Sequence, residues 1–442
     1  MNFSDLNLNK PLLDALDDMG YKHPTTIQHK AFSVIMSGKD VCGIAQTGTG
    51  KTFAYLLPVL REWKHSKDRF PQVLIIVPTR ELAVQVAEAV KQVSAYMTLE
   101  VVAAYGGVNM KPQAAACENG CDIVVATPGR LLDLVYNGHL RLKAIKKLII
   151  DEVDEMLNLG FRLQLNNLLD LLPPKRQNLM FSATITEEVE IMMNDYFNLP
   201  AIIEAAPTGT PLDNISQVMY RLPNFYTKIN LLELLLTQNE SMTKVLVFVA
   251  TKSLADDVYS ELEPKFPGQV GVIHSNKEQN HRFNTVNKFQ SGEYRFIIAT
   301  DIIARGLDIA EVSHVINFDT PEIPEHYMHR IGRTGRADKK GDAILFNTPR
   351  ELEQLAAIEG LMNYKIPMSP LPEDLVISEV LTDDELPKVK MKQFLIKLPK
   401  RELSGPAFHE KSAKNQKRPV KIKHSDKMKA KYGKPQKRKP KK

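Results

Sequence analysis

Cysteine and tryptophan are scarce in this chain: three and one, respectively, among 442 residues. Three thiols cannot build a disulfide framework, so ordinary apolar cores must hold the fold together. Cys117 and Cys121 are spaced to share one helix face, but no further ligand residues stand near them, and the pair reads as packing rather than as a metal site. No apolar run reaches the length that spans a bilayer, which argues against a membrane-spanning helix. The opening Met1-Asn2-Phe3-Ser4-Asp5 lacks both the basic and the apolar stretch of a secretory leader. The expectation is a soluble protein in a reducing, cytoplasmic setting, with no membrane partner.

Hydrophobic residues make up 43% and charged residues 25%, the balance of a globular protein with material for two cores. The length suits two to three domains. The net charge of +6 is unevenly divided. Residues 411–442 hold 15 Lys/Arg against one Asp, whereas residues 1–410 hold 43 against 51 Asp/Glu. A mildly acidic body with a strongly basic tail points to a polyanionic partner for the tail. That tail is rich in Lys and poor in apolar side chains, and disorder is expected from Gly405.

Short continuous apolar runs alternate with helical patterns: 73–77, 122–125, 147–150 and 178–181, then 245–249, 270–273, 296–299, 315–318 and 343–346. Runs that do not alternate mark strands buried on both faces, hence parallel sheets with helices on each side. Functional residues in such sheets sit just past the carboxyl ends of the strands. The Pro/Gly/Thr stretch 205–211 separates the two series. The expected organisation is residues 1–205, a linker 206–214, a second domain 215–370 and an extension 371–442.

The chain is organised around Ala45-Gln46-Thr47-Gly48-Thr49-Gly50-Lys51-Thr52, a phosphate-loop pattern with Ala45 in place of the first Gly. A short strand, 40–44, precedes it and an apolar helix follows, so backbone N–H groups and a helix N-terminus would face phosphate. Lys51 would reach the β- and γ-phosphates, and the Thr52 hydroxyl would ligate Mg²⁺. Asp151-Glu152-Val153-Asp154 follows the apolar run 147–150. An acid there suits Mg²⁺ and its neighbour suits a water, which assigns Asp151 to the metal and Glu152 to the water.

This acid cluster resembles the motif that names the DEAD-box RNA helicases, with Val153 where that family has Ala. Other stretches match the family's motifs in order. Residues 20–28 resemble the Q motif. Pro78-Thr79-Arg80-Glu81-Leu82-Ala83, Gly106-Gly107 and Thr127-Pro128-Gly129-Arg130 resemble its RNA-backbone motifs. Ser182-Ala183-Thr184 resembles the motif coupling hydrolysis to unwinding. In the second half, 247–249, Gln279 with Arg282, 299–301 through Asp308, and 329–336 match the remainder. The resemblance covers residues 1–370, and the basic tail is similar to that of the bacterial RhlE-like subgroup.

The resemblance implies two tandem RecA-like α/β domains of the P-loop NTPase type with a basic disordered tail. It also implies an ATP-dependent RNA helicase using ATP and Mg²⁺. Tyr21 and Gln28 would read adenine: a flat ring to stack on, and an amide that both donates and accepts. Asp308 would meet the ribose. Arg333 and Arg336, three apart and so on one face if helical, would act as arginine fingers. His329 and Arg330 would join the domains, Arg330 through an acid such as Asp154, with Ser182 and Thr184 in the same coupling. Thr79, Arg80, Gly107, Thr127, Arg130, Arg282, Thr300 and Asp301 are types that contact RNA phosphates and 2′-hydroxyls. Few aromatics lie near them, so single-stranded and short duplex RNA would be held with little sequence preference; ribosomal or RNA-decay assemblies are the partners that would bring such RNA.

A rival reading is a non-catalytic RNA clamp or chaperone, and a third is a DNA translocase. Intact Lys51, Glu152, Arg333 and Arg336 speak against the clamp, and the Q motif against the translocase. Three departures stand out. Ala45 matters only if its position needs positive φ; Val153 is β-branched and suits a strand end; Thr26 stands where the Q motif usually has a second Pro.

Overall fold

The structure is a computed structural model and describes residues 2–45, 48–66, 70–204, 214–301, 312–335 and 340–386. The tail, most of the linker, and Gln46, Thr47, Asp308 and Arg336 lie outside the described residues.

Two parallel sheets follow one another along the chain. The first has seven strands: β1 (Val41–Ile44), β2 (Val73–Ile76), β3 (Val101–Ala104), β4 (Ile123–Ala126), β5 (Lys147–Ile150), β6 (Gln177–Ser182) and β7 (Ala201–Glu204). Their order is β3-β4-β2-β5-β6-β1-β7. The second has six: β8 (Ile215–Arg221), β9 (Val245–Val249), β10 (Val270–Ile273), β11 (Phe296–Thr300), β12 (His314–Asn317) and β13 (Gly341–Asn347), in the order β10-β11-β9-β12-β13-β8.

The apolar runs form strands because both faces of each sheet are covered. In the first sheet Ile75, Ile149 and Leu179 point into one cluster, and Leu74, Ile76, Leu148 and Ile150 into the other. Alternate residues serve opposite cores, so no position in a central strand can be polar without cost. The register then aligns the carboxyl ends. Ile76 pairs with both Ala126 and Ile150, and Ile44 with Ser182. The segments that begin at Ala45, Val77, Thr127, Asp151 and Ala183 therefore emerge along one edge.

Three strands fall outside the runs singled out from the sequence: β3, although its Val101–Ala104 is apolar throughout, β7 and β8. Each is at a sheet edge, and β8 alternates buried and exposed positions. Beyond residue 366 the chain lies along that edge: Met219 N–H donates to Pro367 O at 2.8 Å and Ser369 N–H to Met219 O at 2.8 Å. Such cover removes an open strand edge. Residues to Leu386 stay packed on the second sheet's domain, past the expected end at 370; the Glu385 carboxylate accepts from Phe225 N–H, and the Asn224 amide donates to Ser378 O. Cys117 and Cys121 do not share a helix. The helix ends at Asn119, and Gly120 at φ 99° turns the chain so that both thiols pack in one core.

Candidate nucleotide and RNA cleft

Helix Lys51–Glu62 starts directly after the phosphate loop, with Gly50 as its cap at φ 88°. A Cβ at Gly50 would sit 2.5 Å from Gln28 Nε2, so both conformation and space demand glycine. Ala45 is not among the residues with positive φ, which explains why alanine is tolerated there. Lys51 is buried, and its Nζ has no hydrogen-bond partner among the described residues. A buried ammonium without a partner is costly unless an anion completes it.

The acids past β5 are held in different ways. Asp151 Oδ1 accepts from Glu152 N–H at 3.0 Å and Oδ2 from the Tyr55 hydroxyl at 3.0 Å. Glu152 has φ 52°, an uncommon conformation for a non-glycine residue, and its Oε2 is buried without a hydrogen-bond partner among the described residues. Burial pushes the carboxyls of Asp151 and Glu152 above the usual range; Lys51 draws both down, and Arg333 also draws Glu152 down. Arg333 belongs to the second half of the chain, so its charge reaches Glu152 across the cleft. Arg333 follows the end of helix Pro324–Ile331 and is not itself helical, while its expected partner Arg336 lies outside the described residues. Val153 does not close the strand. It is the first residue of helix Val153–Asn158 and fully buried, so its methyls serve the core.

Gln28 sits in helix Thr26–Met36, where its Oε1 accepts from Thr25 N–H at 2.9 Å and its Nε2 donates to Gly50 O at 3.1 Å. One N–H and one lone pair remain for a base. Tyr21 is 49% exposed and meets the Phe53 ring edge-on at 5.3 Å.

Arg330 does not pair with Asp154. Asp154 Oδ2 instead accepts from Ala183 N–H, Thr184 N–H and Thr184 Oγ1 at 3.0–3.1 Å, and Ser182 Oγ donates to Thr184 O at 2.6 Å. Arg330 grips Asp301 through two bonds, Nε to Oδ1 at 2.5 Å and Nη2 to Oδ2 at 2.7 Å, with the Phe248 ring 5.2 Å away. The reason lies in strand order: β11, which ends in Thr300, and β12 both flank β9, and the helix after β12 delivers Arg330 within its own domain. Burial alone would raise the Asp301 carboxyl; Arg330 and His326 outweigh it and hold the group well below the usual carboxylate range. His329 is buried in the same helix.

A cavity of about 660 Å³ is lined by Thr79, Arg80, Gly107, Thr127, Arg130 and Arg282, six of the eight residues expected to meet RNA. Thr300 and Asp301 do not line it. Gly107 has φ 75°, and a Cβ there would sit 1.8 Å from Arg80 Nη1, so this glycine makes room for the guanidinium. Thr79 caps helix Arg80–Val93, its hydroxyl accepting from Leu82 N–H at 3.2 Å. Thr127 begins helix Pro128–Tyr136 without using its hydroxyl as a cap. Residues from both halves meet here: Arg282 Nη1 lies 2.8 Å from Glu81 Oε1, and Gln279 Nε2 donates to the same carboxylate at 3.3 Å.

Sequence reasoning missed Glu81, Gln113, Leu159, Phe161 and Tyr55. Gln113 fixes Arg130 by accepting from Nη1 at 2.6 Å, and Leu159 and Phe161 line the cavity. Glu81 had a signal, an acid directly beside Arg80 inside a motif already singled out. The others lie in helices or turns with nothing local to mark them.

Family models match both halves: "DEAD/DEAH box helicase" over residues 25–192 and "Helicase conserved C-terminal domain" over 227–338. Curated relatives include RNA helicase CrhR of Synechocystis, 39% identical over 84% of this chain and 74% of that protein. DEAD-box ATP-dependent RNA helicase CshA of Geobacillus kaustophilus is 38% identical over 82% of this chain and 77% of that one. Among solved structures, S. cerevisiae Dbp5 bound to RNA and ADP BeF3 matches with a TM-score of 0.76 at 29% identity, covering 84% of this chain and 95% of that one. Mss116p bound to ssRNA and AMP-PNP also matches at 0.76, with 25% identity, over 85% and 81%. With both family models matched and relatives of 38–39% identity spanning most of its length, this chain belongs to the DEAD/DEAH box helicase family, among its DEAD-box RNA helicases.

Proposed function

We infer that this protein is an RNA helicase that hydrolyses ATP to open short RNA duplexes. The observation that carries the reading is the joint construction of both sites. Arg333 of the second half bears on Glu152 of the first, and Arg282 of the second half pairs with Glu81 of the first. Nucleotide and RNA sites assembled from the same two domains are thereby coupled: whatever draws the domains together at one completes the other.

The residues suit a nucleoside triphosphate with Mg²⁺. Lys51 Nζ and Glu152 Oε2 are buried polar atoms without hydrogen-bond partners among the described residues, and the loop ahead of Lys51 has the glycines an anion cradle requires. Thr52 and Asp151 would hold Mg²⁺, which would neutralise charge on the phosphate oxygens. Lys51 binds the phosphates. Glu152 orients the attacking water and takes its proton. Arg333, with Arg336, offsets charge developing on the transferred phosphoryl group. Tyr21, Gln28 and Asp308 bind the nucleoside, with the loop residues Ala45 to Thr49 around the phosphates. Asp154, Ser182 and Thr184 form one hydrogen-bonded unit that links the acids to the segment after β6 and transmits closure, with His329 on the facing side. Thr79, Arg80, Gly107, Thr127, Arg130 and Arg282 hold the RNA backbone; Thr300 and Asp301 act beside them, Asp301 in the grip of Arg330.

The working unit comprises the 1–205 domain, the 206–214 linker and the second domain from 215, with the extension that follows. The basic tail supports the RhlE-like placement and work on large RNA–protein particles in the cytoplasm, such as ribosomal or RNA-decay assemblies. No helix among the described residues is long and apolar enough to cross a membrane. A clamp without catalysis would have no use for the Glu152 carboxylate, whose buried Oε2 no described residue hydrogen-bonds. The deciding measurement is the ATPase rate with and without single-stranded RNA, against DNA of equal length. Stimulation by RNA and not by DNA is expected; no stimulation, or equal stimulation by DNA, defeats the reading.

A further inference from the structure

Tyr55 lies in helix Lys51–Glu62, four residues after Lys51 and three after Thr52, and so on the helix face that looks to the phosphate loop. Its side chain is fully buried, with the ring tilted against Phe181 at a centroid distance of 5.2 Å. Phe181 is itself pinned against β1: a Cβ at Gly43 would lie 2.5 Å from its ring. The phenol is therefore fixed from below, with its hydroxyl at the ligand edge of the sheet. Tyr55 Oη donates to Asp151 Oδ2 at 3.0 Å, 96 residues away in sequence. Thr52 stands one turn earlier on the same helix. The Tyr55 hydroxyl thus ties the helix that carries Thr52 to the acid motif that carries Asp151, the two residues that would hold Mg²⁺.

We propose that Tyr55 is a positioning residue for the metal site, its hydroxyl locking the Asp151 carboxylate in the orientation in which it serves Mg²⁺. The inference rests on the nucleotide site proposed above. Asp151 has two fixed donors, the Glu152 N–H on Oδ1 and Tyr55 on Oδ2. Together they set the carboxylate plane before any ligand arrives, so no rotamer search accompanies metal binding. A second partner beyond the metal ligands also fixes ligand orientation in metal sites generally, and its loss weakens the metal about 10–100-fold. Without the hydroxyl the carboxylate is held at one oxygen only and turns about its Cβ–Cγ bond.

The test is Tyr55→Phe in the full chain, read by a fluorescent ADP analogue titrated with Mg²⁺. Tyr327→Phe serves as control: that phenol is equally buried and donates to Gln217 at 2.9 Å, but stands in the second domain. Both variants lose one buried hydrogen bond, so both should melt slightly earlier. Only Tyr55→Phe should raise the Mg²⁺ concentration for half-maximal nucleotide binding, by about tenfold, while binding in EDTA stays at the wild-type level. RNA-saturated kcat should fall at limiting Mg²⁺ and recover at high Mg²⁺, with KM for RNA unchanged. A Mg²⁺ midpoint that stays at the wild-type value, whatever the melting temperature, overturns the inference and leaves the ATPase reading standing. Wild-type protein that binds no nucleotide overturns both.

Discussion

The two sheets share a plan, yet Lys51 and Glu152 of the first and Arg330 of the second are held in opposite ways. In the first domain, Lys51 Nζ and Glu152 Oε2 are buried atoms that no described residue hydrogen-bonds. In the second, Arg330 is one of the most deeply buried large side chains and is engaged by Asp301, Asn317 and the Asp319 carbonyl. Lys51 and Glu152 leave hydrogen-bonding capacity open for a ligand; Arg330 is braced to hold a surface in shape. A motif residue is thus reactive or architectural according to whether its polar atoms are satisfied within its own domain.

The sharpest way to break this contrast is Glu152→Gln. The amide fills the same space but accepts no proton, so turnover should fall about 10²–10⁴-fold, while nucleotide and RNA binding persist. Steady-state ATPase within a few-fold of wild type would remove Glu152 from the chemistry. Next in size is Arg330→Ala. Removing one partner of a buried, hydrogen-bonded ion pair costs about 3–5 kcal/mol, and the loss should register as unfolding of the second domain. Hydrogen exchange followed segment by segment would locate it; equal loss in β1 to β7 would contradict the bracing role.

Acid separates the halves as well. Asp301 is depressed in the folded state, so its contribution is present above the unfolded carboxylate value of about 3.9 and is lost as pH falls through that value and then the lower folded one. Asp151 and Glu152 are raised. Without ligand, their contribution is therefore present below the unfolded values near 4 and is lost as pH rises through the folded ones. Acidification through the raised folded values should protect the first domain's ligand edge and leave Asp301 unaffected until lower pH. Protection factors near Asp151, corrected for the intrinsic pH dependence of amide exchange, that do not rise as pH falls towards the unfolded values near 4 would oppose this.

Smaller effects concern recognition. Adenine selectivity should weaken in Gln28→Ala, since the side chain both ties Gly50 and faces the base; GTP hydrolysed as fast as ATP by the wild type under saturating RNA would end the adenine reading. Removing residues 405–442 should leave RNA-saturated ATPase nearly unchanged. If about five tail cations meet phosphates at once, the slope of log K against log[salt] should flatten by roughly 3–4 in the truncated protein. Identical slopes in a fluorescence-anisotropy titration would take the tail out of RNA binding.

Much of this molecule follows from local chemistry. Central strands are legible because covering both faces forces unbroken apolar runs, as in Val73–Ile76 and Val245–Val249. Gly48 and Gly50 are legible because both sit at positive φ, which other residues rarely adopt. The acids at 151–154 stand out because charge directly after a buried strand needs a purpose.

What the sequence could not decide was partnership. Strands β7 and β8 have partly exposed faces, so neither needs a continuous apolar run, and only the assembled sheet reveals them. Arg330 could face Asp154 or Asp301, and the strand order chose Asp301. Arg282 met Glu81, and Tyr55 met Asp151, across 201 and 96 residues of chain. Hydrophobic periodicity is written residue by residue and survives as a pattern. The partner of a charge or a hydroxyl is whichever group the tertiary fold brings within about 3 Å, and no local pattern records that.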